Sequence, residues 1–277
     1  MDVQEKQIQF VDEQIHNADI LFPAILKIIG QKKCGKRMVL SISGGSGVGK
    51  TGMAYLIKER FGKQGINAIV ISGDSYPHRI PVYNDAERLR IFRTAGLLAL
   101  LEKKLYSRQV SIFLRDLQMQ GKDADENLIT ENPWIAVYQR AGDKALKHYL
   151  GTEKEVALEE LSAVLCAYKG GADQIMLRHM GRKEHEIWYE ETDVSDKNML
   201  ILEWTHGNSS SLEGIDISVV LVSSPKETLE NRKKRNRDAA VDSQFVARVL
   251  QIEQEKINAS LHCADLLQNM QGCILNG

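Results

Sequence analysis

Residues 41–52 read SISGGSGVGKTG, with five glycines in twelve positions and Lys50–Thr51 near the end. Glycine gives up more conformational freedom on folding than any other residue, so a cluster this dense needs a reason. An apolar β-type run, RMVLSI, leads into it. MAYLIKERF follows, with apolar positions at helical spacing, so the cluster joins a strand to a helix. Gly44, four residues, Gly49, Lys50 and Thr51 fit the phosphate-loop spacing G-x-x-x-x-G-K-[ST]. In that pattern the backbone of Gly44, Gly45, Ser46, Gly47, Val48 and Gly49 turns its N–H groups toward phosphate oxygens. The new helix adds its positive end, and Gly52 lies in its first turn. Lys50 can reach the outer phosphates, and the Thr51 hydroxyl can bind Mg²⁺. The bland alternative, a glycine turn with no ligand, leaves the complete spacing between strand and helix unexplained.

The bulk composition fits this reading. The chain has 277 residues, enough for one large α/β domain or two small ones, and 43% hydrophobic content supports a core. A net charge of -1 provides no overall field toward nucleic acid or membrane, so neither is expected as a partner. Cys34, Cys166, Cys263 and Cys273 form no C-x-x-C pair and read as scattered reduced thiols. The start, MDVQEKQIQF, lacks the basic and apolar regions of a signal peptide, and no run approaches the ~18 apolar residues of a membrane span. The expected location is cytoplasmic. A homodimer is left open.

Residues 1–35 read as an N-terminal helical arm, one or two amphipathic helices broken near Pro23. Residues 36–277 read as the phosphate-loop domain. Its strand candidates are 38–43, 67–72, 198–203, 217–222 and 264–268, with an edge strand near 272–275. Most are continuous apolar runs, as expected of parallel strands buried on both faces. Helices are expected at 50–63, 84–105, 227–237 and 242–261. Alternating strands and helices imply a doubly wound parallel α/β sheet. The stretch 106–185 breaks the rhythm and reads as a largely helical insertion beside the nucleotide site.

In such sheets, ligands sit beyond the C-terminal strand ends. After the second strand comes GDSYPHR, where Asp74 can accept a hydroxyl proton or help hold Mg²⁺. Tyr76, His78 and Arg79 follow, then Arg88, Arg90 and Arg93 on the next helix. Arg88 is the one expected to face solvent. This density of cations points to an anionic substrate, against the alternative of a solvated helix face. Glu203 closes the apolar run LILE, the position of a Mg²⁺-binding acid, and His206 follows toward the same cleft. NRKKRNRD then places Arg232, Lys233, Lys234, Arg235 and Arg237 within six residues. Arg235 and Arg237 are expected to stabilise the transferring phosphate and Arg232 to bind nucleotide.

Together these segments resemble the uridine kinase and phosphoribulokinase branch of P-loop small-molecule kinases, over roughly residues 36–270. SISGGSGVGKTG is similar to that branch's phosphate loop, GDSYPHR to its Gly-Asp-Ser-aromatic segment, and LILEWTHG to its Glu-Gly-Leu segment. NRKKRNRD is similar to its arginine-rich lid. The resemblance implies a P-loop NTPase fold with a lid, ATP and Mg²⁺ as cofactors, Asp74 as catalytic base and Glu203 as the metal acid. It also implies an acceptor loop in AYKGGADQIMLRHMGR, carrying Arg178, His179 and Arg182. Two departures stand out. Trp204 replaces the usual glycine, and the acceptor loop lacks the Pro-x-Tyr-Asp pattern that uridine kinases use. The expected activity is transfer of the γ-phosphate of ATP to a hydroxyl of a small, anionic metabolite. The alternatives are an adenylylsulfate kinase and a regulatory ATP-binding module with little transfer.

Overall fold

The computed structural model describes residues 10–32, 35–183, 186–235 and 243–275. A six-stranded sheet forms the centre, in the order β2-β5-β1-β6-β7-β8. Its strands are β1 (Met38–Gly44), β2 (Ala68–Ser72), β5 (Met199–Glu203), β6 (Ile217–Val222), β7 (Leu266–Asn269) and β8 (Ile274–Leu275). β2, β5, β1, β6 and β7 pair in parallel, and β8 closes the edge antiparallel to β7. All five residues of β5 are buried, which is why the run MLILE shows no polar alternation.

One face of the sheet is covered by α1 (Asp12–Gln31) and α2 (Lys50–Lys63). Leu21, Phe22 and Ile25 of α1 pack with Ile57 and Phe61 of α2. The Phe22 and Phe61 rings meet edge to face at 5.1 Å. The break expected near Pro23 is absent, and one helix runs through it. Pro23 is exposed, so the backbone hydrogen bond it cannot donate is lost on the watered side of the helix.

The other face carries α6 (Leu158–Lys169) and a separate two-stranded sheet of β3 (Gln174–Met180) and β4 (Ile187–Asp193). β4 reads IWYEETD and is exposed along nearly its whole length, so its pattern carried no buried face to detect. α4 (Arg108–Met119) and α5 (Pro133–Lys147) precede α6. α5 packs on α3 (Pro81–Glu102) by fitting rings into glycine gaps, with Tyr138 over Gly96 and Phe92 over Gly142. α7 (Leu229–Arg235) and α8 (Gln244–Ala259) complete the chain.

Register decides where the chemistry falls. Glu203 lies level with Ile42 of β1 and Ser72 of β2. β2 and β5 therefore end together beside β1, which runs on to Gly44 and into the glycine loop.

Candidate active site

The loop between β1 and α2 has the backbone that phosphate binding needs. Gly49 adopts a left-handed conformation (φ 99°) at the N-cap of α2, a region that disfavours residues with a Cβ. No side chain caps this helix and its first turn holds no acid, so its leading N–H groups are left to an anion. Gly44 is equally constrained: a Cβ there would meet the Leu221 carbonyl at 2.5 Å. Lys50 is buried at 8% exposure. Its Nζ donates to the Gly44 and Gly45 carbonyls at 3.0 and 3.1 Å, folded back along the loop.

Next to it, Glu203 is 6% exposed. Its Oε2 accepts from Thr51 Oγ1 at 3.2 Å and its Oε1 from Ser72 Oγ at 2.7 Å. Burial pushes its carboxyl above the ordinary carboxylate range, and the charge of Asp74 adds to this. Lys50, Ser72 and Thr51 pull the other way without cancelling it. A hydroxyl and a carboxylate of this kind, in contact at the mouth of a phosphate loop, are the hard oxygen donors Mg²⁺ prefers. Proton and metal then compete for Glu203. The Mg²⁺ concentration for half-maximal rate should rise as pH falls through its raised pKa, and Glu203→Gln should raise it at every pH. An unchanged metal titration in that variant would remove Glu203 from the metal's ligands.

Asp74 lies in a single 3-10 turn, Gly73–Ser75, directly after β2. Its side chain is exposed, and its backbone N–H donates to Ser72 Oγ at 3.4 Å. The turn rests against Trp204. A Cβ on Gly73 would lie 2.2 Å from Trp204 Cγ, so Gly73 makes room for the indole that replaces the glycine of the resembling kinases. The Trp204 ring is 2% exposed and meets His206 edge to face at 5.3 Å. His206 also presses on Gly151. Burial lowers its pKa to about 4, against an ordinary 6.5. The imidazole is therefore neutral near pH 7 and brings no positive charge to a substrate. The sign for stability follows. The neutral ring is favoured by folding, so its contribution is complete above pH 6.5 and is lost as pH falls toward 4. His206→Gln should flatten the stability–pH slope over that interval, read by denaturant unfolding at each pH.

The arginine-rich segment begins in α7. Asn231 Nδ2 donates to the Gly47 carbonyl at 3.2 Å, and Arg232 Nη1 donates to Thr228 Oγ1 at 2.9 Å. The Arg232 stem lies so close to Gly47 that a Cβ there would come within 2.8 Å. Arg232 thus covers the loop. Arg235 ends the α7 backbone, and Arg237 lies outside the described residues.

The expected acceptor-side residues are dispersed. Tyr76 is 1% exposed and belongs to the apolar cluster under Trp204, so it presents no ring to a ligand. His78 is turned to the backbone, its Nε2 lying 2.8 Å from the Glu153 carbonyl. Arg178 is paired with Glu160 at 3.3 Å and donates to the Pro77 carbonyl. His179 stacks on Trp188 across the hairpin at 5.3 Å, and the Arg182 backbone donates to Glu186. Arg90 is held by both oxygens of Glu87. Arg79 reaches Tyr149 Oη at 3.2 Å and Glu87 at 3.8 Å. Arg88, expected in solvent, is instead mostly buried. Its Nε donates to Glu155 at 2.7 Å and its Nη2 to Glu253 at 3.3 Å. Asp85 lies 3.5 Å from its Nη1, so three carboxylates surround this one buried charge.

Sequence reasoning missed Ser72, Glu155, Glu253 and Gln254. Glu253 and Gln254, on α8, line a small recess with Gly45, Ser46 and Arg232. Burial raises the Glu253 carboxyl, Arg88 opposes this, and Glu155 and Asp74 add to it. No motif marks α8; only Ser72, one residue ahead of Gly-Asp, had a signal that could have been used.

Two solved structures share this architecture. A putative fructose transport system kinase from Silicibacter sp. TM1040 aligns with TM-score 0.51 at 15% identity, covering 88% of this chain and 94% of that one. D-glycerate 3-kinase from Cryptococcus neoformans aligns with TM-score 0.51 at 10% identity, covering 96% and 99%. The chain has the P-loop kinase fold. No protein-family model matches it. In sequence it is 37% identical over 270 residues to the bifunctional alpha-galactosidase/sucrose kinase AgaSK of Mediterraneibacter gnavus. That match covers 96% of this P-loop chain but spans only 23% of the relative's length. Among the described residues, no helix is long and apolar enough to cross a membrane.

Proposed function

We propose that the chain is an ATP-dependent kinase that moves the γ-phosphate of Mg-ATP to a hydroxyl of a small metabolite. The observation that carries this is the convergence on Glu203. Thr51 and Ser72 hold its two oxygens, and Lys50 and Asp74 act on its charge. Bound Mg²⁺ would neutralise charge on the phosphate oxygens. Lys50 would leave its loop carbonyls for those oxygens, and the α2 N-terminus would orient them. Asp74 would take the proton of the attacking hydroxyl, and the cover formed by α7 would exclude water.

The acceptor this reading favours is a neutral, sugar-like molecule. The anionic alternative rested on surplus cations, and that premise weakens: Arg178 and Arg90 are paired with carboxylates and His206 is neutral. The relative named above carries two activities in its name, and a phosphate loop accords with its kinase half. ADP release should be measured with sucrose, other neutral sugars, sugar phosphates and hydroxy acids. Release stimulated by a neutral sugar supports the reading. Stimulation by adenylylsulfate alone would replace it with adenylylsulfate kinase. Tight nucleotide binding with no stimulating acceptor would leave a regulatory ATP-binding module.

A further inference from the structure

The cations missing from the cleft are gathered elsewhere. Between α3 and α5 lies an open groove of about 630 Å³. Arg79, Arg90, Lys144, His148 and Lys154 line it, against a single carboxylate, Glu87. Glu87 is already committed to Arg90, which it grips bidentately. Lys144 and Lys154 are exposed, and neither amine has an ion-pair partner among the described residues. In a chain of net charge -1, this is a concentrated positive site. Its floor is apolar, made by Ile91, Ala141 and Ala145, with Tyr149 beside them.

The groove is walled off from the phosphate loop. Tyr149 Oη donates to Asn84 Oδ1 at 3.3 Å, and Asn84 Nδ2 donates to Glu155 at 3.0 Å. Glu155 also takes the Gly151 N–H at 2.6 Å and holds Arg88, which reaches Glu253 on the loop side. Burial alone would raise the Glu155 carboxyl, but Arg88, Gly151 and Asn84 together hold it below the ordinary range. This layer is a fixed, charged partition. None of the groove's lining residues belongs to the phosphate loop, and neither Asp74 nor Glu203 is among them.

We propose that this groove is a second ligand site, for a phosphomonoester of a small metabolite, separate from the transfer cleft. A phosphomonoester carries about two negative charges at neutral pH. The exposed Lys144 and Lys154 amines match it, and the floor suits a small carbon skeleton. The volume is that of a small-molecule pocket, which argues for a metabolite over a polymer. The phosphorylated product of a kinase and free inorganic phosphate share this chemistry, and the test separates them.

The whole chain should be saturated with Mg²⁺ and a non-hydrolysable ATP analogue, so that the phosphate loop is filled. Calorimetric titration should then follow with a hexose 6-phosphate, the free hexose and inorganic phosphate. Any binding of the free hexose, which lacks the dianion, should be insensitive to the groove's lysines, and hexose phosphate should bind the groove with one site per chain. Lys144→Glu combined with Lys154→Glu should weaken that binding by about tenfold or more, with the analogue's affinity unchanged, since both reversals act on exposed charges facing a dianion. Lys144→Ala with Lys154→Ala should weaken it less, and thermal unfolding checks that both variants fold. Inorganic phosphate binding as tightly as hexose phosphate would make the site a plain phosphate site and overturn the metabolite. No binding once the loop is filled, or binding unaffected by charge reversal, would overturn the site altogether. Hexose phosphate consumed as an acceptor, and consumed no longer by the reversed variant, would make the groove part of the transfer cleft and overturn the separation. The lysine-dependent binding of hexose phosphate is read separately from turnover, so the groove can fail while the proposed acceptor stands, and the reverse.

Discussion

Lys50→Ala is expected to lower kcat by about two to three orders of magnitude and to leave the protein folded. That loss is the scale of removing one preorganised electrostatic group from a water-excluded site. The ammonium is already held at the loop, 8% exposed on the Gly44 and Gly45 carbonyls that it would leave for the phosphate. Its role is to offset charge that builds on phosphate oxygens during transfer, which neither Thr51 nor the loop N–H groups can do as a full positive charge. Alanine is a strong helix former, so the first turn of α2 survives the change. The measurement is steady-state kcat with the best acceptor, alongside nucleotide affinity and Tm. Turnover equal to that of the unmodified protein would remove the loop from the chemistry.

Asp74→Asn is the second large loss expected, about two to four orders of magnitude in kcat, the range for removing a general base. Asp74 is the exposed carboxylate at the end of β2, and no hydrogen bond or ion pair of its side chain is found among the described residues. A structural carboxylate would be paired; this one is available to a hydroxyl. Its removal should leave Tm and nucleotide affinity nearly unchanged, since its backbone turn is held by Ser72 and by Trp204 over Gly73. It should also lower the proton affinity of Glu203, because the Asp74 charge is one of the causes raising it. The Mg²⁺ titration would then lose part of its pH dependence. A kinase loses turnover in this variant; a nucleotide-driven switch keeps its full response. Retained turnover would therefore remove Asp74 as the base.

The local geometry of the candidate site was legible in the sequence wherever that site is contiguous. The glycine spacing of 44–49, then Lys50 and Thr51, is one short peptide whose backbone must curl, and it does so at the predicted strand–helix junction. Asp74 and Glu203 could be placed at strand ends because the buried strands are unbroken apolar runs. Pattern reading failed where burial does not repeat along the chain. β4 has no buried face, so nothing in its pattern marked a strand. Pro23 looked like a break, because sequence does not tell which side of a helix is wet.

Tertiary structure alone decided which charges are free. Arg88 and Arg90 lie two residues apart on α3, yet one is buried between Glu155 and Glu253 and the other is 62% exposed on Glu87. Glu155 and Glu253 are far from Arg88 in sequence, so no local rule could have paired them. Neighbouring residues on a helix point about 100° apart per step, so adjacency says little about shared surroundings. A charge's fate depends on the summed field and desolvation from every element packed around it, and that sum exists only once the chain has closed.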